Sequence, residues 1–288
     1  TRKGVGDDAI VTLAGTLNRG TYNMSATRGR NGWNGIGNPY PSSIAFNDAT
    51  SLTNFIDENA TQFDPARAAG YFWNGSSYTI INNASAATYL QPGQGFIVQT
   101  KEGGGTFSFT TSLQAHNGGS ASFYKKSTSP WDKMTLNATT ATNSATTSIL
   151  FRDDMTRGLD ITYDAGLFGR DPVFQLYTRL VDDYGVDFAI QCLPGFETDP
   201  MEMPVGLNYS DGGLVTFTAD ISSLPPGYTA VLEDRSLGIF TDLTGYDAKY
   251  EVSVNEGTEG IGRFYLHAVA GPTGFDLQSK EEIKTYAV

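Results

Sequence analysis

The 288-residue sequence predicts an all-β protein: two consecutive antiparallel β-sandwich modules, jelly-roll or Ig-like in type, with little helix. Three observations carry this expectation. Glycine, threonine and serine number 33, 33 and 21 against 19 lysines and arginines, a composition poor in helix formers and rich in turn and strand formers. Short runs of apolar alternation, bounded by Gly, Asn and Pro, recur at spacings of roughly 10–20 residues, as half-buried sandwich strands do. Charge is split along the chain. Residues 1–150 hold 10 basic and 8 acidic side chains and residues 151–288 hold 9 and 23, so the net −12 divides into +2 and −14, while asparagine falls from 14 to 2. A change of this kind at one point marks two modules, residues 1–142 and 143–288. The seam is placed in the polar stretch 137–148 (NATTATNSATTS), whose alternative reading is a Thr-rich edge strand within one domain.

The elements follow in order. Residues 9–13 (AIVTL) alternate as a strand. Residues 32–46 (GWNGIGNPYPSSIAF) form a stiff corner, because Pro39 and Pro41 fix their own φ and restrict the residue before each. Residues 51–59 and 64–69 suit short helical turns. Residues 71–81 (YFWNGSSYTII) read as a hairpin whose Asn74-Gly75 pair supplies a type I′ turn. Residues 95–100 (GFIVQT) suit a central strand, and 103–105 (GGG) turn the chain into 106–110 (TFSFT). Further strands are expected at 148–151, 173–177, 187–192, 214–220, 228–233, 250–254 and 263–269. The chain opens TRKGVGDD, with no signal peptide, and reads as a mature protein or a fragment. Residues 283–288 (IKTYAV) alternate like a strand and read as a truncated or processed end.

Composition also sets exclusions. A net charge of −12 argues against a nucleic-acid partner, which needs a basic face. No apolar run reaches the ~20 residues of a membrane-inserted helix. The single Cys192 makes no internal disulfide and belongs to no zinc-type cysteine cluster; it reads as a small core residue of a strand.

Candidate chemistry is sparse, and no catalytic residue is assigned. His116 lies in a turn (AHNGG) without a G-x-S-x-G elbow elsewhere, and His267 reads as sheet packing. Five aromatics are candidates for stacking on sugar rings: Trp33 and Tyr40 in the stiff corner, Trp73 and Tyr78 flanking the hairpin turn, and Trp131 in the polar loop SPWDKM. The competing reading of Trp33 and Tyr40 is a packed corner between sheets. Trp131 is expected to be the most exposed tryptophan, with a role as a plug of the module seam as the alternative. Asp182, Asp183 and Asp187 are candidate calcium ligands, although no acidic cluster matches D-x-[DN]-x-[DN]-G and DDYG also reads as a turn. Calcium is the one cofactor considered.

The stretch GWNGIGNPYPSSIAF resembles a motif, GWN-x-x-GNPYPS-x-x-x-W/F, found ahead of the C-terminal sorting domain in Bacteroidota proteins exported by the type IX secretion system. The resemblance continues in order through YFWNGSSY at 71–78, LQPGQGFIV at 90–98 and LQAHNGGSASFY at 113–124. It extends to RGLDITYDAGL at 157–167, MPVGL at 203–207, LED at 232–234 and RFYL at 263–266. Departures are Gln114 where Arg is usual, Gly166 where Lys is frequent, and Tyr250-Glu251-Val252 in place of the usual aromatic. The resemblance implies a secreted or outer-surface module, handled by the type IX secretion machinery and followed by a sorting domain. The implied role is non-catalytic: adhesion or structural presentation, with a polysaccharide or a cell-surface protein as partner. An upstream catalytic domain in a longer parent chain is compatible with it. Alternatives are a carbohydrate-binding module, and a self-associating subunit of an extracellular fibre that exchanges its terminal strands.

Overall fold

A computed structural model describes residues 15–47, 53–115, 131–169, 171, 173–181, 185–195 and 201–270. These residues are nearly all β. The only α-helix among them is one turn, α1 (Phe55–Glu58), with Asn54 as its cap: the Asn54 side chain accepts from the Asp57 N–H at 2.9 Å. The strands expected at 9–13 and 283–288 lie outside the described residues.

Before residue 116 there are nine strands: β1 (Tyr22–Ala26), β2 (Trp33–Gly37), β3 (Ser43–Asn47), β4 (Gly70–Trp73), β5 (Tyr78–Ile81), β6 (Thr88–Leu90), β7 (Gly95–Gln99), β8 (Gly105–Phe109) and β9 (Gln114–Ala115). They form three sheets, ordered β2-β7-β4-β5, β6-β3-β9 and β1-β8. Alternation explains the core between them: Ile44 and Phe46 of β3, Phe96 and Val98 of β7, and Phe107 and Phe109 of β8 all point inward. Phe55 of α1 is enclosed by rings, with centroids 4.8 Å from Phe109, 5.3 Å from Phe96 and 5.6 Å from Phe46. Gly70 permits this packing, since a Cβ there would stand 2.3 Å from the Phe46 ring.

From residue 132 a second system begins: β10 (Asp132–Thr139), β11 (Ser144–Phe151), β12 (Ala165–Gly166), β13 (Phe174–Thr178), β14 (Phe188–Leu193), β15 (Met201–Tyr209), β16 (Gly213–Asp220), β17 (Tyr228–Asp234), β18 (Ile239–Asp242), β19 (Tyr250–Val254) and β20 (Phe264–Ala270). They make one sheet in the order β18-β17-β20-β15-β13-β14-β11-β10-β16-β19, with β12 paired to β14. Every strand of that path except β18 sends side chains into a single apolar cluster. A sheet that wide shares one core only by curling, and it nearly closes. Tyr250 of β19, at one edge, donates its hydroxyl to Asp234 of β17 at 2.9 Å. Asp234 also receives Arg263 at 2.8 Å and is 1% exposed. Burial works against its ionisation, yet hydrogen bonds from Arg263, Ser236 and Tyr250 hold the carboxyl below its ordinary range.

Two expectations are corrected here. The stretch 137–148 is not a seam. It is the turn of the β10–β11 hairpin, paired in register from Asp132↔Phe151 to Thr139↔Ser144, so a boundary between 142 and 143 would cut one ladder. The polar outer face of this hairpin masked its inward Met134, Leu136, Ala138 and Ile149. Nor is the pairing antiparallel throughout: β11 runs parallel to β14, Ser148↔Ile190 to Phe151↔Leu193.

Candidate functional site

The aromatic candidates divide by burial. Tyr40 is 2% exposed, with its hydroxyl given to the carbonyls of Gly20 and Phe109, and it offers no ring face to a ligand. It sits in the stiff corner, which Asn38 fastens: its side-chain amide donates to the carbonyls of Ser42, Leu90 and Gln91 and accepts from the Tyr40 N–H. Trp131 is also no platform. It is 5% exposed, stacked on Tyr163 at 5.5 Å and covered by the Arg152 guanidinium at 3.9 Å. Its polar sequence neighbours suggested exposure, but its cover comes from residues that follow it by 21 and 32 positions.

Trp33, Trp73 and Tyr78 do come together, on one face of the sheet β2-β7-β4-β5. Trp33 heads β2, and Trp73 and Tyr78 are cross-strand partners at the open end of the β4–β5 hairpin, their centroids 5.2 Å apart. The hairpin loop is residues 74–77 rather than a two-residue type I′ turn. The Asn74 side chain accepts from the N–H groups of Ser76 and Ser77 at 2.9 Å each, so the turn is closed by a side chain and only Gly75, at φ 107°, takes a positive φ.

This face is not open along its length. Phe168, just beyond β12, lies on it at 4.0 Å from Tyr78 and 4.6 Å from Trp33. Tyr71 of β4 stands edge-on to Trp33 at 4.8 Å and donates its hydroxyl to the Gly166 carbonyl at 2.6 Å. Burial raises the Tyr71 phenol above its ordinary value, so it stays a donor. The joint continues on both sides of that bond. Arg67 reaches the Leu167 carbonyl at 3.3 Å, and the Asn83 N–H reaches the Thr162 carbonyl at 3.0 Å. Cys192 is buried in an apolar cluster with Trp131, Leu150 and Met155, where burial pushes its thiol up. Trp33 and Tyr78 are half-buried, whereas Trp73, beyond the reach of Phe168, remains 57% exposed. Tyr71 and Phe168 were missed by sequence reasoning; in hindsight the YFW run placed Tyr71 on the same face as Trp73.

The calcium candidates do not assemble. Asp182 and Asp183 lie outside the described residues, and Asp187 is held by Arg179 at 2.9 Å. His116 also lies outside them. His267 is not simple packing. It is 3% exposed on the outer face of the large sheet, with Nε2 2.8 Å from Glu233. Among the described residues, Glu202, Glu233 and His267 are the group of side chains placed to hold a metal, each offering one ligand atom within 4.8 Å of the others.

A family model described as "Domain of unknown function (DUF8693)" matches residues 6–267. No curated protein and no solved structure matches the chain.

Proposed function

We propose that this chain, which belongs to the DUF8693 family of unknown function, is a non-catalytic module of the outer cell surface or the secreted space, serving adhesion or structural presentation. The observation that supports it best is the joint between the two sheet systems. Aromatics that would make a continuous ligand platform are mostly spent on Phe168 and Gly166, which favours one stiff β body over a hinged pair with a cleft. Two separate apolar cores support reading that body as two sandwich-type modules, the second curled towards a barrel. Export by the type IX system rests on the motif series that begins at GWNGIGNPYPSS, and adjacency to a sorting domain rests on the same series.

One observation favours a second reading, carbohydrate binding: Trp73 is 57% exposed beside the half-buried Tyr78, on the nearly neutral part of the chain. Sugar rings stack on such faces without needing charge. Affinity electrophoresis through polysaccharide gels tests both readings at once. Adhesion through a glycan predicts retarded migration that Trp73→Ala abolishes with the fold intact. Presentation without a glycan predicts no retardation on any polysaccharide. Release of reducing sugar or peptide fragments by the purified chain would overturn the non-catalytic reading.

A further inference from the structure

We propose that Glu202, Glu233 and His267 bind a divalent first-row transition ion, with zinc the best fit, and that Arg235 is the cation which neutralises their carboxylates when no ion is present. The three side chains come from adjacent antiparallel strands, β15, β20 and β17. Glu202 and His267 are direct cross-strand partners, and Glu233 lies two positions beyond Val231, the partner of His267 on the other side. All three share the outer face, because the alternate residues Met201, Met203, Leu232, Leu266 and Ala268 enter the core. Strand pairing, rather than a flexible loop, therefore sets the spacing.

That spacing suits one ion. Each residue offers a ligand atom within 4.8 Å of the other two, and His267 Nε2 already lies 2.8 Å from Glu233. Zinc bonds of about 2.0–2.2 Å put tetrahedral ligand atoms about 3.3 Å apart, within a rotamer adjustment of this arrangement. An imidazole nitrogen with two carboxylates suits zinc and its neighbours better than calcium or magnesium, which take all-oxygen shells. His267 and Glu233 are 3% and 6% exposed, while the Glu202 side chain is 41% exposed and marks the entrance. Three protein ligands leave a fourth position for water on that side.

Arg235 is the competitor. Its guanidinium contacts Glu233 at 3.0 and 3.3 Å and Glu202 at 2.5 Å, and it lies over the Tyr265 ring at 3.4 Å. Burial works against ionisation of Glu233, but the hydrogen bonds from Arg235 and His267 hold its carboxyl below the ordinary range, so it is an anion ready to ligate. The Arg235 side chain is 35% exposed and can turn outward, giving up the carboxylates to an ion of twice its charge at shorter range.

The test uses the full 288-residue chain, stripped with a chelator and titrated with zinc by calorimetry, with cobalt(II) absorption as a second readout of nitrogen and oxygen ligation. The expected result is one zinc per chain. Glu202→Gln and His267→Gln should each weaken it at least about tenfold. Arg235→Ala should tighten it about tenfold. His116→Gln should leave it unchanged. Circular dichroism checks each fold; if His267→Gln does not fold, the opposed effects of the half-exposed Glu202 and Arg235 decide. Absence of stoichiometric zinc uptake by both the parent and Arg235→Ala overturns the proposal. So does uptake that Glu202→Gln leaves intact.

Discussion

Replacing Tyr71 with phenylalanine removes one oxygen from the joint between the two sheet systems. The hydroxyl donates to the Gly166 carbonyl at 2.6 Å, and Tyr71 has no exposed surface. A typical protein hydrogen bond contributes about 1 kcal/mol net, and a buried acceptor stripped of its donor costs up to about 3 kcal/mol. The ring itself remains against Trp33 and Phe168, so packing is preserved and the expected loss is about 1–3 kcal/mol. Tyr71→Ala empties the ring volume too and should cost about 3–5 kcal/mol, as large-to-small aromatic changes do. Urea unfolding measures both variants, followed by tryptophan fluorescence, to which Trp33 in the joint contributes, and by far-UV circular dichroism. The two probes should coincide for the parent and separate for Tyr71→Ala, because the joint couples the two systems. A Tyr71→Phe midpoint within about 0.3 kcal/mol of the parent would refute the reasoning.

Two further outcomes follow from close packing and burial. A Cβ at Gly206 would stand 2.1 Å from the Tyr177 ring, which is 2% exposed and tied through its hydroxyl to Asn208 at 3.2 Å, so Gly206→Ala should destabilise by about 1–3 kcal/mol; an unchanged urea midpoint would count against that. Burial pushes the Asp164 carboxyl up to about 7 from an ordinary 3.8, against the pull of N–H donors from Asp160 and Cys192. Between those pH values the folded chain holds a proton the unfolded chain has lost. Stability from this group is therefore full below about pH 4 and falls as pH rises towards 7, by at most about 4 kcal/mol. Urea midpoints measured from pH 5 to 8 should slope downward more steeply for the parent than for Asp164→Asn, and equal slopes would sink the assignment.

The strand content was legible because alternation is local. The run TFSFT carried enough signal to place β8, and GFIVQT to place β7. The seam was not legible, because Thr, Asn and Ala in β10 and β11 look alike whether they face solvent or a core, and only the ladder Asp132↔Phe151 reveals which side is which. Aromatic burial failed for a related reason. Whether Trp33 or Trp131 is free depends on Phe168, Tyr163 and Arg152, which the fold brings in from elsewhere in the chain. Trp73 could be placed from its own neighbours, since a residue at a hairpin tip has few distant partners to cover it. The Glu202, Glu233 and His267 group spans 66 positions of sequence and has no motif spacing; it exists only because β20 lies between β15 and β17.

The strand order of the large sheet also dictates when it can be completed. As the chain emerges from the ribosome, β10 and β11 can zip at once into a local hairpin, but the other edge of β10 has to wait for β16, Thr135↔Asp220 to Thr139↔Thr216. In turn β16 waits for β19, and β17 is flanked on both sides only once β20 has been made. Until then the Met134 and Leu136 face and an unpaired ladder edge are open to other chains. Long-range pairing of this kind folds slowly. The Tyr250–Asp234 clasp can engage only near the end of synthesis, so the hours of greatest hazard for this molecule are compressed into its own birth.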